Sequence, residues 1–118
     1  MEKFNIDFFE SDNGKCPVKE YLDSVDVKMR AKIVRTIELL ETNGNMLGMP
    51  YSESLEDGIF ELRTKVSSNV SRILYFFYIE RKIVLTNGFT KKTNKVPKRE
   101  LETAKNYRAV YLERQKGE

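Results

Sequence analysis

Apolar and polar residues alternate at the start of the chain, where Phe4, Ile6 and Phe8 are separated by Asn5 and Asp7. This period of two predicts a strand over residues 3–9 with one face buried. Asp12, Asn13 and Gly14 then supply turn chemistry. Pro17 suits the first turn of a short helix, where its missing N–H costs nothing, and Val18, Tyr21 and Leu22 give that helix a small apolar face. The period then lengthens: Met29, Ile33, Ile37 and Leu40 recur at spacings of four, four and three. They predict an amphipathic helix over residues 26–42, capped by Ser24 or Asp26 and ending near Asn43 and Gly44. Two helices this close in sequence imply an antiparallel helical hairpin.

Residues 45–57 contain Gly, Met and Pro and read as a connecting loop. The period of two returns at Ile59–Val66, where Phe60, Leu62, Thr64 and Val66 alternate with Glu61, Arg63 and Lys65. Ser67, Ser68 and Asn69 mark a hairpin turn. The following run, 72–79, is apolar on both parities beyond Arg72, as a central strand covered on both faces would be. Glu80, Arg81 and Lys82 turn the chain into a last strand over residues 83–89. A polar, basic loop leads to Pro97, which can open a final helix. On that helix Leu101, Ala104, Arg108 and Tyr111 share one stripe with Arg108 as its odd member, while Lys98, Lys105 and Arg114 read as solvated. The expected fold class is α+β in the order β-α-α-β-β-β-α, with a three-stranded antiparallel meander. With no linker in residues 1–118, one domain is expected.

Composition narrows the setting. Hydrophobic residues make up 40% of the 118 and charged residues 33%, enough for a core and an ordinary solvated surface. The longest apolar stretch falls far short of the roughly 20 residues that span a bilayer as a helix, and no signal-peptide core opens the chain. Cys16 is the only cysteine, which excludes an intrachain disulfide and a thiolate metal cluster; it reads as a small structural residue. A reducing cytoplasm is the expected location. Histidine is absent, so any chemistry falls to Lys, Arg, Tyr or carboxylates.

Charge is uneven along the chain. The net value is +3, yet residues 58–99 hold Arg63, Lys65, Arg72, Arg81, Lys82, Lys91, Lys92, Lys95, Lys98 and Arg99 against only Glu61 and Glu80. That segment is +8 and the remainder −5. Such asymmetry is the footprint of a polyanionic partner, nucleic acid first, with a solvated surface as the plain alternative.

Four motifs in order then carry a family resemblance. They are Pro17-Val18-x-x-Tyr21-Leu22; Leu55-x-Asp57-Gly58-Ile59-Phe60-Glu61-Leu62-Arg63; Arg72-Ile73-Leu74-Tyr75-Phe76-Phe77; and Ile83-Val84-Leu85-x-x-Gly88-Phe89-x-Lys91-Lys92-Thr93-x-Lys95-x-Pro97. Together they resemble the RelE/ParE superfamily of toxins, and within it the phage-derived HigB-like branch of type II toxin-antitoxin systems. The resemblance implies a RelE-like sheet with a helical hairpin packed on it. It implies a ribosome-dependent mRNA endoribonuclease that uses no cofactor, with the ribosome, mRNA and a cognate antitoxin of helix-turn-helix type as partners and no membrane. Two departures stand out: no histidine is available for catalysis, and Asn69-Val70-Ser71 occupies the hairpin where a glycine often appears.

Metal-free RNA cleavage requires deprotonation of the neighbouring 2′-hydroxyl, stabilisation of the phosphorane and protonation of the leaving 5′-oxygen. Arg72 looks like the family position that clamps the scissile phosphate, for which guanidinium geometry is suited. Its alternative is a sheet-edge ion pair with Glu61. Arg63 could hold the RNA backbone beside Arg72 if paired residue numbers across the hairpin sum to 135, whereas a sum of 136 would separate the two arginines. Lys91 and Lys92 follow the last strand where similar toxins carry a basic catalytic residue, so either is a candidate general acid. Lys65 and Lys95 would bind RNA, and Phe89, beside the basic loop, is the stacking candidate. Two other readings use the same residues: a ParE-like inhibitor of DNA gyrase, and a non-catalytic nucleic-acid-binding protein.

Overall fold

The computed structural model describes residues 2–91 and 95–117. Its elements are β1 (Asn5–Phe8), α1 (Pro17–Ser24), α2 (Val27–Asn43), a 3-10 turn at Gly44–Met46, β2 (Ser52–Glu56), β3 (Ile59–Val66), β4 (Asn69–Tyr78), β5 (Lys82–Lys91) and α3 (Lys98–Lys116). This is the expected α+β order with one strand added. The addition, β2, lies in the stretch read as loop. Its sequence, Ser-Glu-Ser-Leu-Glu, has too little apolar alternation to announce a strand, and it forms because β3 offers an edge to pair with.

Local chemistry explains the helices. Pro17 sits in the first turn of α1. Asp26, of the two candidate caps, takes the position before α2 and its carboxylate accepts from the Met29 N–H at 2.8 Å. Gly44 ends α2 with φ of 52°, and a Cβ there would run into the Phe4 ring, so both conformation and space demand glycine.

The sheet runs β1-β5-β4-β3-β2, with β1 parallel to β5 and every other pair antiparallel. The helical hairpin covers one face, where Met29, Ile33 and Leu40 meet Leu62, Ile73, Tyr75, Ile83 and Leu85. Helix α3 covers part of the other, where Ala104 and Tyr111 pack on Phe9, Ile59, Leu74, Phe76 and Val84. A central β4 buried on both sides accounts for its double-parity apolar run. A bulge in β5 lies where the register passes from Leu74↔Asn87 to Tyr75↔Leu85, leaving Thr86 as the extra residue. It reverses the parity of the rest of the strand, so Phe89 and Lys91 point to the α3 side while Gly88 and Thr90 face the hairpin. Gly88 is required there because a Cβ would lie 2.5 Å from the Tyr21 ring. The Tyr21 hydroxyl donates to Ser71 Oγ at 2.9 Å and lies 2.7 Å from Thr90 Oγ1.

Helix α3 is tied down by polar contacts that its sequence stripe did not announce. Arg108, the odd member, reaches back to the Asp57 carboxylate at 2.7 Å and to the Asp57 carbonyl. Lys105 and Arg114, expected to be solvated, instead pair with Glu56 at 2.6 Å and Asp12 at 2.7 Å. Asn87, placed on this face by the bulge, donates to the Glu100 carbonyl at 3.2 Å and so fixes the first turn of the helix.

Candidate nucleic-acid interface

Helix α3 begins at Lys98, and at the hairpin end of its sheet face Lys65 and Lys91 are exposed while Arg72 and Phe89 are buried. Two residue rows cross that end: Lys65, Val70 and Lys91 form the outer one, and Arg63, Arg72 and Phe89 the next. Arg63 pairs directly with Arg72, the register in which paired numbers sum to 135, so both arginines share this face. Strand spacing places the Cα atoms of Lys65 and Lys91 about 10 Å apart, with Val70 between them.

Glu61 binds the two arginines together. Its Oε1 accepts from Arg72 Nη1 at 2.7 Å and its Oε2 from Arg63 Nε at 2.6 Å, and Arg63 Nη2 reaches Glu53 at 3.2 Å. Arg72 is 1% exposed and Glu61 0%. The ion pair considered as the alternative for Arg72 therefore exists, but in the buried middle of the sheet and not at an edge. A charge removed from water this completely survives only because it is paired at short range. Arg63, with 21% of its side chain exposed, carries the network toward solvent.

The other expected site residues divide sharply. Lys65, Lys91 and Lys95 are exposed, and among the described residues none of them has a carboxylate partner. Lys92 lies outside the described residues. Phe89 does not present a stacking face: the bulge turns its ring under α3, where it is 9% exposed within the core. The basic segment as a whole does not converge either. Arg81 sits at the far end of the sheet, in the β4–β5 turn, with its guanidinium over the Phe4 ring and bonded to the Glu2 carbonyl.

A cleft of about 390 Å³ opens at the outer edge of β3 beyond Arg63, the last residue there to bond across to the segment leading into β2, through the Tyr51 carbonyl. Lys32 and Thr36 of α2, Pro50 and Tyr51 before β2, and Arg63, Lys65 and Arg72 line it. Sequence reasoning missed Lys32 and Tyr51. The only signal for Lys32 was its place beside Ile33 at the rim of the helix stripe, and Tyr51 lay in a segment read as loop. Tyr75, beneath the hairpin, has its phenol pushed above the ordinary value by burial, partly offset by its hydrogen bond with Ser52. Among the described residues no cluster of His, Cys, Asp or Glu is placed to hold a metal ion, and no helix is long and apolar enough to cross a membrane.

Fold and site together define an α+β protein whose sheet ends in a cationic patch, with a cleft at its edge. Residues 20–109 match the family described as Phage derived protein Gp49-like (DUF891), and the chain belongs to that family, which lies within the RelE/ParE-like toxins. The matched span includes α2, the whole β2–β5 meander and the Arg63–Glu61–Arg72 network. A search of curated proteins finds no significant match.

Proposed function

We propose that the protein is the toxin of a type II toxin-antitoxin system, of the HigB-like branch, and a ribosome-dependent mRNA endoribonuclease acting in the cytoplasm. The observation that carries this reading is that Arg63, Lys65, Arg72 and Lys91 share one end of one sheet face, with Lys65 and Lys91 exposed, Arg63 partly so and Arg72 buried beneath them. An RNA backbone crossing that end would meet Lys65 and Lys91 at the rim and Arg63 between them and the floor. Arg72 would reach the scissile phosphate by exchanging one carboxylate oxygen of Glu61 for a phosphate oxygen, a trade between two acceptors suited to the same guanidinium fork. The 2′-hydroxyl would then be the nucleophile, giving up its proton to Lys65 in its neutral form or to solvent. The arginines would stabilise the phosphorane, and Lys91 or Lys92 would protonate the leaving 5′-oxygen as the P–O5′ bond breaks to leave a 2′,3′-cyclic phosphate. A cognate antitoxin of helix-turn-helix type would hold the toxin silent.

One observation favours a second reading. The guanidinium of Arg72 is buried and already paired, which suits a ParE-like inhibitor of gyrase that does not cut RNA. Expression followed by mapping of mRNA 5′ ends separates the two. Codon-phased cuts that disappear with Arg72→Ala support the nuclease, whereas gyrase-dependent DNA breaks with intact mRNA overturn it.

A further inference from the structure

We infer that the cleft at the open edge of β3 is a subsite for a neighbouring nucleotide of a single-stranded RNA, holding its phosphate on Lys32 and Lys65 and its base on Tyr51. The inference deepens the nuclease reading and rests on it for the identity of the strand. Its physical basis lies in the cleft itself. Arg63 and Lys65 line both the cleft and the open sheet end, so the two are continuous, and a strand crossing the patch runs over the edge of β3 into the cleft.

The cleft is built for an anion joined to a flat ring. Lys32 Nζ donates to the Lys65 carbonyl at 2.6 Å, which parks the ammonium at the β3 edge with two of its three donors left over. Among the described residues neither Lys32 nor Lys65 has a carboxylate partner, whereas Arg63 is already matched by Glu61 and Glu53. The unmatched positive charge of the cleft therefore belongs to the two lysines. Tyr51 is 41% exposed despite its size, stands next to Pro50, and is fixed at the mouth because its carbonyl accepts from the Arg63 N–H at 2.7 Å. An exposed ring on an anchored backbone, beside two lysines, is the combination by which single strands are held without sequence preference. The volume, 390 Å³, falls within the range of small-ligand sites.

The test is a titration of the protein with a fully 2′-O-methylated RNA trinucleotide, which lacks the attacking hydroxyl and cannot be cut, followed through backbone amide NMR shifts. The amides of Thr36, Tyr51 and Thr64 should move together, and affinity should fall about tenfold in Lys32→Ala and again in Tyr51→Ala, while the amide spectrum away from the cleft stays native. Absence of shifts at these amides, or unchanged affinity in both variants, would overturn the subsite. Inorganic phosphate binding as tightly as the trinucleotide would overturn it too, by leaving no role for the ring. Uncut transcripts in cells with an intact trinucleotide site would remove the nuclease reading and leave the subsite standing.

Discussion

The face of the sheet toward α3 has two halves that share the same strands and differ in almost everything else. Under the helix, Phe9, Ile59, Leu74, Phe76 and Val84 pack against Ala104 and Tyr111, and the ring of Tyr111 meets Phe76 and Tyr78 edge-on at centroid distances of 5.7 and 5.4 Å. Beyond the start of the helix the same face carries Arg63, Lys65, Val70, Arg72 and Lys91. Glu61 and Asn87 flank Leu74 in the row where the halves meet, one binding the arginines and the other the first turn of α3. The contrast teaches that cover changes row by row along the strands: Lys65 and Lys91 in the outermost row stay exposed, whereas Arg72 and Phe89 one row inward are already buried. The strand backbone is indifferent; the cover is what changes.

The boundary is the place to break the comparison hardest. Glu61→Ala removes the carboxylate that both arginines share and should destabilise the fold by about 3–5 kcal/mol, the cost of stripping a buried charge of its counter-ion. Chemical denaturation would measure it, and a loss below about 1 kcal/mol would show that the network is easily replaced by water.

The covered half should respond to alkali. The phenol of Tyr111 is pushed up to about 12, first by burial and then by the nearby Asp7 carboxylate, to which it donates a hydrogen bond at 3.2 Å. A raised value means that the protonated phenol is favoured in the folded state. The resulting stability is complete below about pH 10, where the unfolded phenol is also neutral, and is lost as pH rises from 10 through 12. Tyr75 shifts in the same direction. Tyr111→Phe should therefore flatten the alkaline fall only in part, and should cost about 1 kcal/mol at neutral pH through the lost hydrogen bond. A pH series of thermal unfolding curves checks both expectations.

The open half should be nearly silent in stability. Lys65→Ala combined with Lys91→Ala should change unfolding free energy by no more than about 0.5 kcal/mol, because both side chains are exposed. The pair should instead weaken single-stranded RNA binding, and each removed phosphate contact should lower the slope of log affinity against log salt by about 0.7. Arg81→Ala, at the other end of the sheet, should leave that slope unchanged; a matching loss there would mean that only total charge counts.

Much of the fold was legible because the signals were local. The Asp26 cap, the Pro17 start, the Gly44 stop and the alternation of Ile59–Val66 each follow from a few adjacent residues and reappear in place. The candidate site was legible only in outline. Lys65 and Lys91 were found as exposed cations, but Phe89 was misjudged because a single extra residue, Thr86, turns it inward, and no pattern in the strand advertises that bulge. Lys32 and Tyr51 escaped notice because nothing near them in sequence marks the free edge of β3.

The sequence by itself determined the order of the elements other than β2, the double burial of β4, the absence of histidine chemistry and the +8 segment from 58 to 99, since each depends on residue identity and short-range spacing. Tertiary structure decided which of those charges share a face. Strand register set Arg63 opposite Arg72, the bulge sent Lys91 to their side, and Glu61 drew both arginines into the sheet. Arg81 was spent at the far end. These choices turn on one-residue shifts between segments distant in the chain, and a one-residue shift moves a side chain to the opposite face.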